Sequence, residues 1–141
     1  MGQLLEHFAE AAGETIRIKK GQHTEVLPEN QEYVNAVTEA AKSGDVSAML
    51  ALGNHYQRGK YVNYDPNMAI YWWEEAAKRG DSVAQYNLGL MYNGDLSKLH
   101  FNSEKAAYWL ALSAQNGYRD AQIVLQENFK WSRLRNKWIR K

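Results

Sequence analysis

The chain has 141 residues, of which 45% are hydrophobic and 23% charged, a balance that supports one domain with its own core and argues against disorder. A net charge of +1 gives no argument for a nucleic-acid partner by itself. The absence of cysteine excludes a disulfide framework, a thiol nucleophile and a thiolate metal site, and makes a reducing, cytoplasmic compartment the expected home.

In chain order, residues 1–28 form a leader or capping segment. It lacks the basic start and long apolar run of a secretion signal, and Glu6 stands where a myristoylation motif needs Ser or Thr. Leu4, Leu5, Phe8, Ala9 and Ala12 predict a short amphipathic helix ended by Gly13, and residues 15–19 and 23–27 alternate around Lys20-Gly21 as a small hairpin. No segment reaches the roughly 18 to 20 apolar residues that span a bilayer.

From residue 29 to 131 the sequence repeats. Residues 44–56 return as 80–92, and residues 68–80 align with 105–117. Met49, Leu52, Gly53 and Tyr56 fall on one face of a first helix, and Leu88, Gly89 and Tyr92 repeat that face. Glycine inside a helix costs about 1 kcal/mol relative to alanine, so its recurrence at one phase predicts a close crossing by a neighbouring helix. Asp65-Pro66 and Asn102-Ser103 supply starts for the second helices. Gly44, Gly80 and Gly117 supply left-handed stops, and Asp45 and Asp81 cap the helices that follow. Residues 33–44 read as a lone second helix, residues 118–131 as a lone first helix, and residues 93–100 as a loop longer by one residue than its counterpart. A period of this length means stacked helical hairpins, an all-α fold of the short α-solenoid type.

The pattern Ala-x-x-x-Leu-Gly-x-x-Tyr-x-x-Gly, followed by Asp-x-x-x-Ala-x-x-Trp and Ala-Ala-x-x-Gly-x-x-x-Ala, resembles the Sel1-like repeat, a relative of the tetratricopeptide repeat. Ala48, Leu52, Gly53, Tyr56, Gly59, Val62, Asp65, Ala69, Trp72, Ala76, Ala77, Gly80 and Ala84 carry it in one register. The resemblance implies about two full repeats with partial units on either side, and first helices that line the concave side of the stack. Trp72, Trp73 and Trp109 then belong to the packing between hairpins.

No catalytic or metal-ligating pattern stands in the sequence. His7, His23, His55 and His100 have no partner at ligand spacing, and residues 53–60 miss the spacing of a phosphate-binding loop. No enzyme activity and no cofactor are expected. The resemblance implies instead a protein-interaction module, an adaptor or scaffold. Such a module would bind a partner protein through the concave face of the repeats, where the expected binding residues are Asn54, Gln57, Arg58, Tyr86, Asn93 and Lys130, a mix of amides, charges and a tyrosine suited to recognition of another protein. A bacterial immunity protein that neutralises a cognate toxin is the alternative.

Residues 132–141 form a basic tail. After Glu127 come Lys130, Arg133, Arg135, Lys137, Arg140 and Lys141 without an acid, while Trp131, Leu134 and Trp138 recur at spacings of three and four. That spacing predicts an amphipathic basic helix, capping the last repeat or meeting nucleic acid or another anionic surface.

Overall fold

The computed structural model describes residues 28–141. The leader helix and hairpin expected before them lie outside the described residues. A 3-10 turn at Pro28–Asn30 leads into α1 (Gln31–Lys42) and α2 (Val46–Arg58). There follow α3 (Pro66–Lys78), α4 (Ser82–Asn93), α5 (Ser103–Gln115) and α6 (Arg119–Asn128), then strands β1 (Phe129–Ser132) and β2 (Lys137–Arg140). These elements form two compact units that meet in sequence at Trp72 and Trp73, within α3.

Four of the six helices, α2 to α5, begin where short polar side chains accept the free amide protons of a first turn. Asp45 accepts from the Ala48 amide at 3.1 Å, Asp81 from Ala84 at 2.8 Å, and Asn102 from Lys105 at 3.0 Å. Asp65 Oδ1 takes two amides at once, those of Asn67 and Met68.

One turn occurs three times. Gly44, Gly80 and Gly117 have φ of +100°, +93° and +87°, a conformation in which a β-carbon is strained. Each glycine amide donates to the carbonyl three residues back, on Ala41, Ala77 and Ala114, at 3.0 Å. The next amide, on Asp45, Asp81 or Tyr118, reaches back five residues to Ala40, Ala76 or Ser113. This is the Schellman arrangement, and it reverses the chain in so few residues that consecutive helices must run antiparallel.

In the first unit α1 packs on α2, and Val34, Ala41, Leu52 and Tyr56 are buried. In the second unit α5 packs on α4 and α6 and buries Leu88, Met91, Leu110 and Leu125. Trp72 and Trp73 are each 1% exposed, as expected of packing residues, whereas Trp109 is only half-buried against the edge of Tyr108. The close crossing expected at the helical glycines is present at Gly89. A β-carbon there would stand 2.6 Å from Cγ and Cδ2 of Leu110 on α5.

The longer loop keeps the repeat in register. Asn102 donates its amide to the Tyr92 carbonyl at 2.8 Å, and Asp65 makes the same bond to Tyr56 at 2.9 Å with one residue fewer between them. Gly94, at φ +88°, ends α4, and a 3-10 turn at Lys98–His100 takes up the added length.

Polar side chains tie successive hairpins of the second unit. The buried Gln85 donates to the Ala77 carbonyl at 3.2 Å and accepts from Asn116 at 2.9 Å. Gln122 donates to the Ala114 carbonyl at 3.2 Å, one repeat on. Ser113 reaches the Ser82 carbonyl at 2.8 Å.

The carboxy-terminal stretch departs from the expected helix. α6 ends at Asn128, and residues 129–140 form an antiparallel hairpin in which Phe129 faces Arg140 and Trp131 faces Trp138. Asn136, at φ +51°, supplies the left-handed residue of the reversal. The reason for the correction is tertiary. A two-stranded hairpin is marginal in water by itself, but this one buries Phe129 and is held by Arg140. That guanidinium lies over the rings of Phe129 and Phe101, 4.7 and 5.1 Å from their centroids. Its Nε donates to Ser103 Oγ at 2.8 Å and its Nη2 to Asn93 Oδ1 at 2.6 Å.

Candidate functional site

The packing face of each first helix is set by the repeat, which leaves the opposite faces to vary. On α2, Asn54 and Gln57 are half-buried and Arg58 is exposed next to the helix end. On α4, Tyr86 is half-buried and its ring lies 5.0 Å from that of Tyr118 at the start of α6. Burial first, then the Asp120 carboxylate and Tyr118, push the Tyr86 hydroxyl above its ordinary range, so it stays a neutral hydrogen-bonding group. Asn93 has both ends of its amide engaged, accepting from Arg140 and donating to Asp95 at 2.8 Å. Lys130 is exposed, but it stands on β1 and not on a continuation of the first helix. Tyr86 and Asn93 thus share α4, while Lys130 stands on the hairpin that Asn93 helps to hold.

A second cluster lies in the first unit. Tyr33, His55 and Tyr61 meet ring to ring, with centroids 4.8 to 5.6 Å apart, and the Tyr33 hydroxyl is 2.9 Å from His55 Nε2. Burial, then the charges of Lys60 and Arg58, lower the pKa of His55 from its ordinary value of 6.5 and favour the neutral ring.

The hairpin creates a feature that reading the tail as a helix could not reveal. Between it and α5 lies a cavity of about 360 Å³. Ala107, Ala111 and Leu112 of α5 form its floor, and Tyr108, Trp131 and Trp138 wall it. Lys137 and Glu104, 3.3 Å apart, stand at the rim with Gln115 and Asn136. The signal was present in the sequence as period-two alternation over Phe129, Trp131, Trp138 and Arg140 around a polar turn. The same tryptophans also fit a helical spacing, and periodicity over so short a run does not separate the two.

Among the described residues no group of acids and histidines is arranged to hold a metal ion, and no helix is long and apolar enough to cross a membrane.

Antiparallel helix pairs of nearly constant length, four of the six helices capped by Asp or Asn and the hairpins closed by recurrent glycine turns, define a helical-repeat protein of the tetratricopeptide type. The Sel1 repeat pattern matches residues 46–81 and 82–118, just over half of the chain, and the chain belongs to the Sel1 repeat family. It is 34% identical over 93 residues to a Sel1-like repeat-containing protein of Acanthamoeba polyphaga mimivirus, covering 66% of this chain and 16% of that one. It is 29% identical over 102 residues to the chitin synthase regulator SKT5 of Saccharomyces cerevisiae, covering 71% and 15%. The crystal structure of a Sel1 repeat protein from Oxalobacter formigenes superposes with a TM-score of 0.60 at 35% identity, covering 69% of this chain and 39% of that one. The chain therefore spans about a sixth of the length of these two curated relatives. Its fold, an all-α solenoid of antiparallel helix pairs, is that of the family. Sel1 repeats are a non-catalytic fold, and proteins built from them serve generally as protein–protein interaction scaffolds.

Proposed function

We propose that this chain is a non-enzymatic adaptor that binds a partner protein through the faces of its first helices that repeat packing leaves uncommitted. The observation that carries the reading is the Tyr86–Tyr118 pair on the second unit, two rings left half-exposed beside a packed core. Tyrosines of this kind bury large areas at low entropic cost and are enriched among the residues that dominate interface energies. Exposed Arg58 and the amides of Asn54 and Gln57 give α2 the same recognition chemistry. A relative named as the regulator of an enzyme, SKT5, is in keeping with a role exerted on another protein.

The test is capture of the partner from the native source, followed by titration of the purified pair. Replacing Asn54, Arg58 and Tyr86 together by alanine is expected to weaken affinity by about tenfold or more while the circular dichroism spectrum holds, because such anchors carry most of an interface's energy. Unchanged affinity refutes the assignment to these faces.

A further inference from the structure

We infer that the groove between α5 and the carboxy-terminal hairpin is a separate docking surface, built for an acidic peptide segment that carries a large apolar anchor side chain. The hairpin lies beyond the matched repeats, so the repeat pattern does not account for its composition. A cavity of about 360 Å³ lies within the usual size range of ligand pockets. Its apolar floor and aromatic walls suit a buried phenylalanine or leucine. Tyr108 and Trp131 nonetheless remain 60% and 48% exposed, and Leu134 at the hairpin tip 95%. Large rings held open beside a pocket are the anchors that interfaces favour.

Charge decides the chemistry of the occupant. Lys130, Arg133, Arg135 and Lys141 are all exposed, and among the described residues none is paired with a carboxylate. Arg140 is committed to Ser103 and Asn93, and Lys137 neutralises Glu104 at the rim. Arg133 and Arg135 stand in the reversal next to Asn136 of the pocket lining, so surplus positive charge lies on the hairpin side, where an acidic segment would be drawn. The ring geometry favours a peptide over a single-stranded nucleic acid. Trp131 and Trp138 meet at 74°, edge to face, above an aliphatic floor. That arrangement receives one inserted side chain and offers no row of parallel faces for successive bases.

This reading does not rest on the first-helix faces, and the two can fail separately. The experiment is a fluorescence-anisotropy titration of the full chain with a fluorescein-labelled peptide of glutamates and aspartates around a Phe-x-x-Leu pair. Saturable binding is expected. Tyr108→Ala and Trp131→Ala should each weaken it by about tenfold or more, as loss of an interface anchor does. The double substitution Arg133→Glu and Arg135→Glu should weaken it and flatten its salt dependence. The Asn54, Arg58 and Tyr86 triple alanine variant should bind as the parent does. Tyr108 is exposed on a helix, so Tyr108→Ala keeps the fold, which a thermal melt verifies. The inference is overturned if the peptide fails to bind or if Tyr108→Ala binds like the parent. It is equally overturned if the same peptide with serine for Phe and Leu, oligothymidylate or phosphatidylserine vesicles bind as tightly.

Discussion

Replacing Gly89 by alanine sets two local effects against each other, and the structure says which wins. Gly89 lies inside α4 with no positive φ, so alanine carries no backbone strain there and gains about 1 kcal/mol of helix propensity. Its methyl group, however, would stand 2.6 Å from Cγ and Cδ2 of Leu110 and 3.4 Å from the Leu110 amide nitrogen. Favourable carbon contacts lie at about 3.5–4.0 Å, so the overlap is on the order of 1 Å. Leu110 is fully buried and cannot swing into solvent. Either α4 and α5 separate or the leucine leaves its rotamer, and overpacking of this kind costs about 1–3 kcal/mol. The net expectation for Gly89→Ala is a loss of up to about 2 kcal/mol, and a Tm lower by up to roughly 8 °C for a chain of this size. Urea unfolding followed by tryptophan fluorescence measures it. The double-mutant cycle isolates the cause. Leu110→Ala alone should cost about 2–5 kcal/mol, and in that background Gly89→Ala should become neutral or stabilising, because the clash is gone. A Gly89→Ala variant more stable than the parent by about 1 kcal/mol would refute the close-crossing explanation and leave propensity as the whole effect.

Arg140→Ala removes both hydrogen bonds and the ring contacts that hold the hairpin, so amide exchange across residues 129–140 should accelerate while that of α4 and α5 stays unchanged. A charged hydrogen bond contributes about 1.5–3 kcal/mol, and hairpin protection equal to the parent's would contradict the clamp. Asp81→Ala should lower stability by about 1 kcal/mol through loss of the cap on the Ala84 amide, read from the urea midpoint. For His55 the folded protein favours the neutral ring, so the unfolded chain takes up its proton at the higher pH. The associated stability is complete above the ordinary value of 6.5 and is lost as pH falls through the lower folded value. An NMR titration of the His55 ring should give a pKa below 6.5, and a higher value would contradict the shift.

The repeat was legible because its residues act locally. Asp45, Asp81 and Asn102 cap whichever helix follows them, and Gly44, Gly80 and Gly117 stop whichever helix precedes them. The spacing of Leu52 and Tyr56, and of Leu88 and Tyr92, fixes a buried face without reference to distant chain. The first-helix residues proposed as a binding face were readable for the same reason, as positions left over once packing is assigned. Asn93 shows the limit of that logic. Counted as an open position, its amide is taken by Arg140, 47 residues away in sequence.

The sequence by itself therefore determined the helical hairpins, their boundaries and the burial of Trp72 and Trp73, though not that of Trp109, because capping, left-handed turns and helical periodicity are short-range effects. Only the tertiary structure decided the form of the carboxy-terminal stretch. Trp131 and Trp138 suit either a helix or a hairpin, and the choice fell to Phe129, Arg140, Phe101, Ser103 and Asn93, which meet only once α4, α5 and the tail are folded together. The same long-range choice made the aromatic groove beside α5, which periodicity alone could not foresee.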